Sequence, residues 1–219
     1  MPDSIYDPLS GAIVPFSQFA DGWAEDNDIS GVPSYTWATL PLASAYTGLA
    51  VISDVGVAPS LWRSNGTAWA PVNGRVLLAR AMAPQTAITG TTNETNAAAA
   101  IVIPAGLMGA NGGLQISTRW AVTNSANDKT LKAKLGATAF ETILVTSVAS
   151  LLLETTIDNV NDAAVQIGGN GAAPQVGTAT AFAAGTINTA VAQNLTFTGQ
   201  LESSGESIQL LSYEVWLRR

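Results

Sequence analysis

The residues that could do chemistry are few, and two common reagents are missing. The chain has no histidine and no cysteine. A Ser-His-Asp triad, a thiolate nucleophile, a Cys-ligated metal and a disulfide framework are therefore excluded. Carboxylates remain. Asp26 and Asp28, with Glu25 beside them, form the densest acidic group. Two carboxylates flanking a cleft can serve as acid and base on a glycosidic bond. These lie in a proline-punctuated segment with no regular element to hold a cleft, so a solvated acidic stretch is the expectation. Residues 25–28 and the run Asp158, Asn159, Asn161, Asp162 also carry oxygen ligands of the kind calcium takes. Neither run has the glycine and terminal Glu of a calcium loop at the required spacing, so turns are expected at both. No serine sits in a nucleophile elbow, and no glycine run fits a phosphate loop or a dinucleotide fingerprint. The expectation is a protein that is not an enzyme, with no cofactor and no metal.

Binding chemistry has more material. Trp62 and Trp69 flank Asn65-Gly66, a strong hairpin signal. A two-residue loop would set the two indoles opposite each other. They could then form a platform for a sugar ring, or, as the favoured reading, the small core of a meander with little else to bury. Trp23 and Trp37 belong to a group of six aromatic residues in the first 40, with Tyr6, Phe16, Phe19 and Tyr35. Aromatic anchors on an irregular, acidic backbone point to a segment that lies along another surface. Arg119, Lys132 and Lys134 fall on the outward parity of two strands and form the main basic cluster. A solvated sheet face is the plain reading. The sharper one is a docking site for the acidic N-terminal segment of a neighbouring copy, because charge is segregated along the chain. Seven acids (Asp3, Asp7, Asp21, Glu25, Asp26, Asp28, Asp54) precede the first basic residue, Arg63, and the rest of the chain is neutral.

The elements that must position these residues are strands. Leu114, Ile116, Thr118 and Trp120 alternate with Gln115, Ser117 and Arg119, the period of a half-buried strand. Leu131, Ala133 and Leu135 alternate with Lys132 and Lys134 in the same way. Gly106, Gly109 and Asn111-Gly112-Gly113 supply the turn before them. Further strands are expected at Ile101–Ile103 and near 139–145, 150–157, 163–167, 195–198 and 207–217, with a long loop at 168–177. That makes about eight strands in some 120 residues, enough for a two-sheet sandwich. The last strand is apolar on both parities: Ile208 and Leu210 on one, Leu211, Tyr213, Val215 and Leu217 on the other. Such a strand should be buried on both faces, with a neighbouring subunit as one possible cover.

Composition agrees. Of 219 residues, 47% are hydrophobic and only 11% charged, so a core can form and the polar surface must come from Thr, Ser, Asn, Gln and Gly. No clustered Lys/Arg patch large enough for nucleic acid is present. No apolar run approaches the roughly 20 residues of a membrane span, and the first residues lack the basic and apolar regions of a secretory signal. No membrane insertion and no signal-directed export are expected.

Residues 40–79 resemble a module that recurs in virion proteins of bacteriophages, tail-associated ones among them. The resemblance is carried by Thr47-Gly48-Leu49, Asp54-Val55-Gly56, Leu61-Trp62 and Ser64-Asn65-Gly66-Thr67 followed by Trp69. The second part is similar to the distal β-domains of such proteins at Ile103-Pro104-Ala105-Gly106, Gly109-Ala110-Asn111-Gly112, residues 123–130 and residues 195–201. The resemblance implies a homotrimeric, non-enzymatic virion component with a small N-terminal part anchoring it to the particle. Its partners would be copies of itself, other tail, baseplate or capsid proteins, and a host-surface glycan or protein. A tail fibre or attachment protein is the first expectation, and a capsid decoration or head-fibre protein the second. The expected fold is all-β: an extended acidic segment (1–40), a small β-meander (41–83), a linker (84–97) and a jelly-roll-like antiparallel β-sandwich (98–219).

Overall fold

A computed structural model of the protein describes residues 4–6, 13–15, 31–169 and 182–219. The regular structure of the described residues is strand apart from two short 3-10 turns, Trp37–Thr39 and Ala43–Ala45, and the chain falls into two compact units, 1–73 and 74–219.

In the first unit β1 (Ser4–Tyr6) and β2 (Ile13–Pro15) form an antiparallel pair. A separate sheet follows, built from β3 (Ser34–Tyr35), β4 (Thr47–Ile52), β5 (Ser60–Asn65) and β6 (Trp69–Pro71) in that spatial order. The hairpin at Asn65-Gly66 is present, but with a longer loop than the two-residue form. Ser64 lies opposite Trp69, and Trp62 lies opposite Pro71. Asn65 explains the difference. Its Oδ1 accepts from the amides of Thr67 (2.9 Å) and Ala68 (2.8 Å), an Asx-type closure that draws both residues into the turn. Gly66 takes φ +83° within it. Pro71 ends an edge strand, where a missing N–H costs no ladder bond.

The second unit is the sandwich. Its long strands are β7 (Arg75–Ala81), β11 (Gly113–Val122), β12 (Lys129–Leu135), β13 (Thr138–Val145), β14 (Ser150–Asn159), β17 (Gln193–Leu201) and β18 (Ser207–Arg218). Shorter ones are β8 (Ile88–Thr89), β9 (Thr95–Asn96), β10 (Ile101–Ile103), β15 (Gln166–Gly169) and β16 (Phe182–Gly185). One sheet runs β7-β18-β11-β14 and continues through β15 and β16. The other runs β10-β17-β12-β13. With β7, β10, β11, β12, β13, β14, β17 and β18 counted in chain order, the sheets read first-eighth-third-sixth and second-seventh-fourth-fifth. All pairings are antiparallel. This is jelly-roll wiring.

The alternation places the core where expected. Leu114, Ile116, Thr118 and Trp120 face Leu131, Ala133, Leu135 and Phe197 across the sandwich, and all eight are buried. Trp120 Nε1 donates to Thr118 Oγ1 at 2.8 Å, so the indole N–H is not stranded in the core.

Three boundaries differ from the sequence reading. β7 falls within the stretch 41–83 that reads as a meander, yet it pairs with β18 and belongs to the sandwich, because its apolar inward residue Val76 sits opposite Leu217. Residues 84–97 are not a linker. They form a strap that crosses from one sheet to the other, pairing with β18 through β8 and with β17 through β9. Ile88 is buried over Gly199, where a Cβ would stand 2.9 Å from Ile88 Cδ1. Gly168 and Gly169 close β15 rather than open a loop, and 170–177 lie outside the described residues.

The doubly apolar last strand has an internal explanation. Trp120 pairs with Leu210 and Arg119 with Ser212, so Leu211 is an extra residue in a β-bulge. Inward positions are even-numbered before it (Ile208, Leu210) and odd-numbered after it (Tyr213, Val215, Leu217). Tyr213 packs on Phe197 of the facing sheet, with ring centroids 5.3 Å apart. Both parities are apolar because the inward parity changes along the strand, and no neighbouring subunit is needed to cover a second face.

Candidate functional site

The aromatic candidates form the core of the first unit. Trp62 is 0% exposed and Trp69 5%. Trp62 packs against Trp37 (centroids 5.4 Å) and Trp69 stacks on Tyr46 (5.3 Å). Their indole N–H groups donate inside the unit, Trp62 to Ser60 Oγ and Trp69 to the Pro41 carbonyl, each at 2.8 Å. Trp62 and Trp69 are thus buried, and neither offers a face to a sugar ring. The cause is the four-residue loop, which sets them diagonally on the inward side of the sheet. Trp37 is half-buried at the edge of this cluster, its backbone N–H bound to Asp54 Oδ1 at 2.6 Å. Trp23 and the acidic run 25–28 lie outside the described residues.

The basic cluster separates. Arg119 stands exposed on the outer face of the β7–β16 sheet, whereas Lys132 and Lys134 project from the outer face of the other. Two sheets that are read as one alternating stretch become opposite sides of the sandwich. Both lysines are also already paired. Glu94, on the strap, sets Oε2 2.5 Å from Lys132 Nζ and Oε1 2.9 Å from Lys134 Nζ, and Thr198 donates to Oε1 at 2.9 Å. The Lys132 hydrogen bond, followed by that from Lys134, holds the Glu94 carboxyl down to about 2. A docking site for a neighbour's acidic segment is therefore occupied by a carboxylate of the same chain. Glu94 carried one sequence signal: it is the only acidic residue between Asp54 and Asp128.

Two further polar clusters close the ends of the sandwich. At one end Lys129, 0% exposed, donates to Ser125 Oγ (2.6 Å) and the Asn127 carbonyl (2.7 Å) and pairs with Glu206 Oε2 at 3.6 Å. Ser125 Oγ donates to Glu206 Oε1, Asn127 Nδ2 does so at 3.0 Å, and the Ser125 bond is the first cause of a lowered Glu206 carboxyl. Ser125 beside Lys129 has the composition of a serine–lysine dyad. The Ser125 hydroxyl proton is directed to Glu206 Oε1, however, and Ser125 Oγ accepts from Nζ rather than donating to it. The cluster ties the 123–128 loop to the 202–206 turn.

At the other end Asn159 Nδ2 donates to the Gly109 carbonyl (2.5 Å) and Thr189 Oγ1 (2.8 Å), and Gln166 Nε2 donates to Asn159 Oδ1 (3.0 Å). At the calcium candidate 158–162 the side chains are engaged within the chain. Asn159 points inward, Asp158 pairs with Arg218 at 2.5 Å, and Asp162 Oδ1 accepts from Ala164 N at 2.8 Å. Asn161 takes the turn itself, with φ +58°. Among the described residues no group of three or more His, Cys, Asp or Glu side chains could hold a metal.

A cleft of about 370 Å³ runs along the strap, lined by Gln85, Thr89, Thr91, Thr95 and Asn96 among small alanines. Its chemistry is neutral hydrogen bonding. No protein-family model matches this chain, and no curated protein matches it.

Proposed function

We propose that the protein is a non-enzymatic structural component of a bacteriophage particle, a trimeric tail fibre or attachment protein held to the particle through its N-terminal region. One observation carries the reading. The second unit is a jelly roll whose ion pairs (Glu94 with Lys132 and Lys134, Lys129 with Glu206, Asp158 with Arg218) fasten its own elements to one another rather than gather around a cleft. Jelly rolls of this kind recur in viral coat and lectin domains. The strand and turn motifs that resemble phage virion modules fall in both units, which fits a small anchoring part followed by a larger β-domain.

The trimer rests on that resemblance, since the bulge in β18 removes the need for a subunit over its second face. Surface for self-association exists on the outer face of the β7–β16 sheet, where Leu152, opposite Arg119, and Ile167 and Phe182 are exposed.

Imaging of labelled protein on intact particles tests the location. Label at the tail tip or fibres, with a sedimenting trimer that binds host cells, supports the reading. Label over the head, with binding to empty heads, would replace it by a capsid decoration or head-fibre role. A monomer at micromolar concentration would remove the trimer.

A further inference from the structure

We propose that the seam between β13 and the β15–β16 ribbon is a pH-operated opening, closed while Glu141 is protonated and loosened when it ionises. β13 is an edge strand, hydrogen-bonded to β12 on one side only, and it packs over β14, β15 and β16. Its register puts Glu141 opposite Ala133 and Ile143 opposite Leu131, both inward pairs, with Phe140 bulged between. The seam is tight. Phe140 fills the space that Cβ atoms would take at Gly168 and Gly185, 2.7 and 2.4 Å from its ring. Glu141, beside it, is 4% exposed.

Nothing charged answers the carboxylate there. The inward residues of β14 are Leu151, Leu153, Thr155, Ile157 and Asn159, and Thr155 Oγ1 is itself buried without a partner. β15 presents Gln166 and Gly168 inward, β16 Ala183 and Gly185. The one inward cation on β12 is Lys129, which lies opposite Val145 and is held by Ser125, Asn127 and Glu206. Glu154 and Asp158 of β14 are on the outer face. Residues 170–181 contain no ionisable side chain. Among the described residues no ion pair and no hydrogen bond is made to the Glu141 carboxyl. Burial accordingly pushes Glu141 up to about 7 from an ordinary 4.5. The least disruptive relief is to lift the edge strand, which frees the carboxylate to water and costs bonds on one side only.

The sign follows from proton binding. An open seam, with Glu141 near 4.5, loses its proton well before the closed one, near 7. The opening equilibrium therefore rises with pH, by roughly 30-fold between pH 5.5 and 8.5, and levels off above that.

Hydrogen exchange of the full chain, corrected for intrinsic rates, reads this directly. The expected result is loss of protection at 138–145 and 166–169 as pH rises, with β12–β17 amides unaffected and Glu141→Gln abolishing the change. A Glu141→Gln protein with the same pH response would overturn the proposal, as would a wild-type response spread evenly over both sheets, or none. If Glu141→Gln does not fold, a carboxyl titration in the wild-type protein decides: an ordinary value for Glu141 overturns the proposal, and one near neutrality supports it.

Discussion

Glu94 spans Lys132 and Lys134, one carboxylate oxygen on each ammonium, and so fastens the strap to a strand 38 residues further along the chain. The carboxyl is held near 2, so the folded state keeps its charge where an unfolded chain would take up a proton. The stabilisation is complete above the ordinary value of 4.5 and disappears as pH falls towards 2. Glu94→Gln should cost about 1–2 kcal/mol at neutral pH, allowing for screening of a partly exposed pair. Thermal melts at pH 7 and pH 2.5 check this: the gap between wild type and variant should narrow markedly at the lower pH.

Leu211 is the extra residue of the β18 bulge. Deleting it leaves Ile208, Leu210, Tyr213, Val215 and Leu217 on one continuous inward parity. Deleting Glu214 instead would turn either Tyr213 or Val215 outward, since a one-residue slip exchanges the faces of a strand. The first deletion should yield soluble protein that unfolds cooperatively, and the second should not. Soluble yield and circular dichroism melts distinguish them.

Gly185 and Phe140 share one space. A Cβ at Gly185 would meet Phe140 Cζ at 2.4 Å, and β13 cannot retreat without breaking its packing. Gly185→Ala is expected to cost about 1–3 kcal/mol by overpacking. Combining it with Phe140→Leu should recover part of that loss, a coupling that a double-mutant cycle in urea would measure.

Trp62 belongs to the core of the first unit and not to that of the sandwich. Trp62→Ala should remove roughly 3–5 kcal/mol from that unit, enough to unfold a small sheet. The sandwich, which has its own core, should keep its melting transition. Near-ultraviolet circular dichroism together with limited proteolysis would show loss of residues 31–73 and survival of 74–219.

Much of the fold was legible from local pattern. Alternation from Leu114 to Trp120 and from Leu131 to Leu135 marked two strands and their inward faces, because side-chain direction in a strand depends only on parity. The candidate site was less legible. A two-residue loop would set Trp62 and Trp69 face to face, but the Asn65 side chain lengthens the loop. For Arg119, Lys132 and Lys134 parity says outward but not outward from which sheet.

The sequence by itself determined that this is an all-β chain, that a sandwich core could form, and that histidine and cysteine chemistry is impossible. Tertiary structure alone decided that β7 joins the sandwich, that residues 84–97 fasten across it, that Leu211 shifts the inward parity of β18, and that Glu94 bridges the two lysines. The division has a physical reason. Turn chemistry and alternation act within a few residues. Strand partners, bulges and ion pairs join positions as far apart as Glu94 and Thr198, and those are settled only when both sheets close on one core.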